Sequence, residues 1–310
     1  MIKDGMAKRP TRGAGDYLRL WLKGVCMGSA DVVPGVSGGT MALILGIYEE
    51  LIVSISRLDR NFFSLLFSRR FKEAFEYFPW MFLAAVGAGI FCAVISLARL
   101  LSWLLLNQPV LIWSFFFGLI LGSLLTVGQR VRRWRPRVVV CLFLGTMGAF
   151  VLVGLVPANT PEAPWFLFLC GAVAICAMIL PGISGAFVLV LMGKYAYVLD
   201  AVRRVDISTI FLVGAGAGTG LVVFSRFLGW LFRRYHDATV GLLMGLMLGS
   251  LRKIWPWKEW PAETAGVPPP APSNVLPPAW SPEVTFAVCL ALAGFFVVLL
   301  LNRSAAEAEA

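Results

Sequence analysis

At 310 residues, with 59% apolar and only 14% charged side chains, the chain carries more hydrophobic surface than a soluble domain of its length buries. A mean hydropathy of +0.81 excludes water as its main solvent. The net charge of +10 comes from basic residues gathered between apolar runs, which reflects membrane topology and supports no nucleic-acid partner.

Residues 1–17 form a basic tail with Lys3, Lys8, Arg9 and Arg12, expected to be cytoplasmic. No short apolar run with a small-residue cleavage site follows, so no cleaved signal peptide is expected. A first membrane repeat is expected over 18–156. Its opening apolar segment is divided by Pro34-Gly35-Val36-Ser37-Gly38-Gly39 and has basic residues on both flanks, Arg19 and Lys23 before it and Arg57, Arg60, Arg69, Arg70 and Lys72 after it. Flanks on the same side of the membrane predict a re-entrant helical hairpin. Apolar runs at 81–106, 110–127 and 138–156 follow, at or near the roughly 20 residues a helix needs to cross the hydrocarbon layer. Arg130, Arg132, Arg133, Arg135 and Arg137 mark the second of the loops joining them as cytoplasmic.

A second repeat is expected over 157–303, with its own break at Pro181-Gly182-Ile183-Ser184-Gly185-Ala186 and spans at 210–232, 240–251 and 284–301. His236, the lone histidine, falls in a predicted cytoplasmic loop beside Arg233 and Arg234. A Pro-rich extracytoplasmic loop covers 252–282, and residues 304–310 form a cytoplasmic C-terminal tail. The apolar runs are continuous rather than alternating, which favours helices over a β-barrel. The expected fold is therefore an all-α polytopic membrane protein.

Internal repetition organises the chain. Besides the two breaks, Leu45-Gly46-Ile47-Tyr48 matches Met192-Gly193-Lys194-Tyr195. VGAGIFCAVISLARLLSW from Val86 matches VGAGAGTGLVVFSRFLGW from Val213, setting Arg99 on Arg226, and FGLILGS from Phe117 matches MGLMLGS from Met244. Residues 136–150 resemble 282–296. A hairpin plus an odd number of spans per half predicts two inverted repeats.

Backbone exposed at a break within the membrane must be buried in protein or line a wet cavity. Glycine allows the turn, and the helices starting near Ser37 and Ser184 would aim free N–H groups at an anion such as phosphate. The candidate phosphate-binding residues are Ser37, Gly38, Gly39, Thr40, Ser184 and Gly185, with Arg99 and Arg226 as intramembrane guanidiniums. The alternatives are helix breaking and packing for the first group and snorkelling for the arginines. Asp31 has Met178 as its counterpart, so it breaks the symmetry; it is either a cap on the first break or a coupling site for protons or sodium. Glu49, Glu50 and Lys194 read as interfacial, and the pairs Gly118/Gly122, Gly245/Gly249 and Gly214/Gly218 as sites of close helix packing. The six cysteines lie in apolar stretches and read as packing residues. No metal-ligand spacing, cofactor loop or nucleophile-base arrangement is present, so neither an enzyme nor a cofactor is expected.

The segment MGSADVVPGVSGGTMALILGIYEELI from Met27, with its second copy AMILPGISGAFVLVLMGKY from Ala177, resembles the PopT family of polyprenyl-phosphate transporters along nearly the whole chain. The resemblance implies a multi-pass protein of the bacterial cytoplasmic membrane. It also implies translocation of undecaprenyl phosphate, the lipid carrier of cell-wall and surface-glycan precursors, from the outer to the inner leaflet. The residues alone leave a second reading, a secondary transporter of a small soluble anion, which would have a closed central cavity with no lateral opening to lipid.

Overall fold

The computed structural model describes residues 12–32, 37–155, 160–259, 273–277 and 279–309. The Pro34-Gly35-Val36 part of the first break and residues 260–272 and 278 of the Pro-rich loop lie outside them. Helices α1 (Ala14–Val32), α2 (Gly38–Ile44) and α3 (Tyr48–Ser56) open the chain, followed by two short helices, α4 (Arg60–Phe67) and α5 (Phe71–Tyr77). Then come α6 (Trp80–Asn107), α7 (Pro109–Gly128) and α8 (Pro136–Leu152). The second half repeats the order with α9 (Pro164–Ile179), α10 (Gly185–Leu191), α11 (Tyr195–Arg204), α12 (Ile207–Ile254) and α13 (Pro282–Glu309). Strands β1 (Lys258–Glu259) and β2 (Ser273–Asn274) pair antiparallel, Lys258 opposite Asn274, a small addition to the expected all-helical fold.

Local sequence sets these boundaries. Pro109, Pro136 and Pro164 each open a helix where the missing N–H is not needed. Asp206 caps α12 by accepting from the N–H groups of Ser208 and Thr209, and the Thr209 hydroxyl bonded to it helps hold its carboxyl below the usual carboxylate range. Gly46 (φ +76°) and Gly193 (φ +63°) occupy matching positions in the two halves, and there the backbone enters a left-handed conformation open to glycine. At these points α2 bends into α3 by 117° and α10 into α11 by 109°.

Four described helices, α6, α7, α12 and α13, are long and apolar enough to cross a membrane, or six spans if each bent pair counts as one. α12 revises the sequence reading. Its 48 residues contain no cytoplasmic loop; the helix is interrupted at Tyr235 alone (φ −138°, ψ 47°), so two spans follow each other almost without a connection. His236 therefore stands on a helix.

Glycine contacts set the helix pairing. Gly24 and Gly28 of α1 lie against the backbone of Val86 and Ile90 in α6, and Gly171 and Gly216 form the matching seam between α9 and the first part of α12. Gly118 and Gly122 of α7 meet Ala291 and Phe295 of α13, while Gly245 and Gly249 of α12 meet Leu142 and Thr146 of α8. In the last two seams each half lends a helix to the other, so the repeats interlock. Such approach suits helix association in lipid, where packing and not hydrophobicity drives contact. Gly214 and Gly218, expected to pack, have open space around them; Gly216 and Gly220, on a neighbouring face, hold the seam.

The core is built around α2, every residue of which is buried, with Ile120 of α7 and Leu243 and Met247 of α12 fully enclosed in the same cluster. Phe91, Phe143, Phe211 and Leu300 are exposed on the outer face, the inside-out pattern of a lipid-facing surface. Of the cysteines, Cys170 is buried but Cys92 and Cys289 are exposed, so the packing role fits only part of the set.

Candidate functional site

The two breaks meet. Ser37, the N-cap of α2, donates from Oγ to the carbonyl oxygens of Met178 (3.1 Å) and Leu180 (3.3 Å), at the end of α9 just before the second break, and accepts from the N–H of Gly39 (3.1 Å). The N–H of Gly182 donates to Thr40 Oγ1 at 2.9 Å, and Tyr48 donates to the carbonyl of Ile179 at 3.1 Å. Ser37 and Thr40 are buried, at 1% and 0% exposure. Unwinding a helix in the membrane leaves carbonyls that lipid cannot satisfy, and here the other half of the chain supplies their donors.

Glycine is required at this contact by proximity. A Cβ on Gly38 would run into the Asp31 carboxylate, one on Gly39 into the Ile179 carbonyl, and Gly182 adopts φ +87°. Asp31 Oδ1 accepts from the N–H of Gly38 at 2.6 Å, so a carboxylate already occupies the position at the α2 N-terminus where an anion was expected. Of the two sequence readings of Asp31, the cap is therefore present. Ser184 caps α10 by position but makes no side-chain capping hydrogen bond, so the two breaks are alike in backbone course and unlike in polar partners.

The arginines stand apart from these hydrogen bonds. Arg99 on α6 and Arg226 on α12 are both exposed. Helix register nevertheless relates each to its own break. Continuing the α1–α6 seam beyond Ile90 by roughly two to three turns brings Arg99 level with the end of α1. Continuing the seam of Gly220 with Ala172 by about two turns brings Arg226 level with the end of α9. Arg226 also donates to the carbonyl of Leu58 and lines a cleft of 610 Å³ shared with α4. Of the candidate residues, the structure joins Ser37 and Thr40 to the second break and gives Arg226 a partner in Leu58 instead.

The three polar residues near the helix bends each have partners, and Lys194 is buried where an interfacial residue was expected. Lys194 is only 4% exposed and donates to the Thr160 carbonyl at 2.8 Å. Glu50 pairs with Arg12 at 2.7 Å. Glu49 lies 3.1 Å from His236, whose other ring nitrogen is 3.2 Å from Asp237, while Asp237 accepts the N–H groups of Arg132 and Arg133. Thus α3, the interruption in α12 and the loop before α8 are tied together beside a cavity of 310 Å³. The sequence reading also missed Tyr48, although it recognised the repeat motif containing it, and the polar face of α4.

Comparison with known proteins gives a family. Residues 27–266 match a family described as undecaprenyl phosphate translocase-like. A polyprenyl-phosphate transporter of Vibrio cholerae is 41% identical over 300 residues, covering 94% of this chain and 97% of the relative. A polyprenyl-phosphate transporter of Staphylococcus aureus is 30% identical over 307 residues, covering 93% and 97%. No solved structure matches the chain.

Proposed function

Because the chain belongs to the undecaprenyl phosphate translocase-like family, we propose that it moves undecaprenyl phosphate across the bacterial cytoplasmic membrane, from the outer to the inner leaflet, returning the carrier to cell-envelope glycan synthesis. The observation that carries the mechanism is the contact of the two breaks through Ser37, Thr40 and Gly182, with an arginine level with each break. A translocation path for a lipid head needs polar groups at mid-depth and a side open to lipid. The paired breaks supply the first. The surface cleft at Arg226, walled partly by the exposed side chains of Phe63 and Phe67, supports the second and weighs against the soluble-anion reading.

In this reading the repeats are inverted, both termini are cytoplasmic, and Arg99 and Arg226 serve opposite leaflets. Each guanidinium can take a phosphate in a bidentate manner without losing charge. Gly38, Gly39, Gly185 and Ser184 allow the phosphate to approach backbone N–H groups when the breaks separate. Asp31 then has a mechanical role: its carboxylate holds the Gly38 N–H until a proton or sodium ion neutralises it, which couples opening of the site to that ion. No enzymatic step or cofactor enters, in keeping with relatives named as transporters.

The test is the amount of undecaprenyl phosphate exposed at the cell surface, read with a probe that binds the phosphate. In cells lacking other such transporters, depletion of this protein should raise surface carrier, and Arg99→Ala should fail to restore it. Unchanged surface carrier after depletion would defeat the lipid reading.

A further inference from the structure

The cleft beside Arg226 contains more than that arginine. One wall is α12, with Val222 one turn from Arg226; the other is α4, which contributes Arg60, Asn61 and Ser64. These groups offer two guanidiniums, an amide and a hydroxyl, and no carboxylate lines the cleft. The adjacent Asp59 is engaged, accepting from the Phe62 N–H at 2.9 Å and the Tyr77 hydroxyl at 2.7 Å. The cleft is therefore complementary to an anion.

α4 has no buried residue; Phe67 is 84% exposed and Phe63 44%, with Arg60 on the same short helix. Exposed aromatics combined with a basic and polar face place a helix in the plane of a membrane interface. α4 also breaks the repeat, because only Val205 and Asp206 separate α11 from α12 at the corresponding place. Among the described residues, no helix takes the place of α4 between α11 and α12. The cleft is therefore built in one half of the chain and not in the other.

We infer that this cleft is a docking site for the phosphate head of polyprenyl phosphate in the leaflet where α4 lies, with Arg60 and Arg226 gripping the phosphate and Phe63, Phe67 and Val222 lying along the first isoprene units. The inference rests on the transport reading above and adds Arg60, Asn61 and Ser64 to its residues. A free phosphate ion would gain nothing from the aromatic wall, whereas a lipid must place its tail there.

The full chain, carrying a photoreactive phenylalanine analogue at Phe67, is reconstituted in vesicles of phosphatidylethanolamine, phosphatidylglycerol and undecaprenyl phosphate, irradiated, and its adducts identified by mass spectrometry. An undecaprenyl phosphate adduct is expected. Arg60→Ala should lower it about tenfold, the effect of losing one charge-assisted contact, and Arg60→Lys should retain most of it. A phosphatidylglycerol adduct in its place, or labelling insensitive to Arg60→Ala, overturns the inference. Leaflet exchange of undecaprenyl phosphate is followed in the same vesicles. Exchange that proceeds while the labelling result fails removes only the cleft; absence of exchange with the unlabelled parent protein removes the transport reading itself.

Discussion

The hydroxyl oxygen of Thr40 accepts the backbone N–H of Gly182 across 142 residues of sequence. This bond joins the first turn of α2 to the unwound segment that precedes α10. It makes each half's break part of the other's structure, so movement at one must be felt at the other.

Replacing Thr40 by Val keeps the shape and removes the acceptor, leaving a buried N–H unpaired. The expected loss is about 1–3 kcal/mol, seen as a lower apparent unfolding temperature in detergent, while Thr40→Ser restores most of it. Equal stability of the two variants would show that the bond does not hold the breaks together.

At Asp31 the charge and the hydrogen bond can be separated. Asp31→Ala should lower folded yield, at a cost of about 1 kcal/mol typical of a lost cap, whereas Asp31→Asn should keep the fold. In vesicles with an imposed proton or sodium gradient, Asp31→Asn should also lose the dependence of transport on that gradient. Retained gradient dependence in Asp31→Asn would remove the coupling role.

The glycine seams allow a paired comparison on one helix face against another. Gly216→Ala would press a methyl group into the Phe168 carbonyl and should reduce folded yield, whereas Gly218→Ala meets open space and should be neutral or stabilising by up to about 1 kcal/mol. Size-exclusion profiles after extraction, with thermal scans, measure both.

Lys258 lies outside the spans and is partly buried near Lys253, with Trp113 5.9 Å from its ammonium. Desolvation, with repulsion from Lys253 adding to it, pushes its pKa down to about 8. The neutral amine is therefore favoured above that pH. Competitive acylation read by mass spectrometry should show Lys258 reaching half-maximal reactivity near pH 8, well before an ordinary lysine; a midpoint near 10 would contradict this burial.

Much of this architecture is legible in the sequence because it depends on local properties. The hydropathy of 81–106 or 284–301 reports a solvent preference that holds whatever the neighbour. Gly46 and Gly193 appear in the sequence as matching positions of the repeat, and the structure shows that both lie at helix bends with positive φ. Ser37 and Ser184 recur because each is the N-cap of the short helix that follows its break, and the repeat also carried the correspondence of Arg99 with Arg226.

Only the tertiary structure decided which faces meet. A repeat of Gly-x-x-x-Gly gives spacing along a helix but not its rotation toward a partner, so Gly214 and Gly218 were indistinguishable from Gly216 and Gly220 until α9 was in place. The exchange of α7 and α8 between halves, the burial of Lys194, the occupation of the α2 N-terminus by Asp31 and the union of Arg226 with α4 are likewise long-range matters. Each depends on the orientation of a side chain relative to a segment distant in sequence, and local periodicity does not encode that orientation.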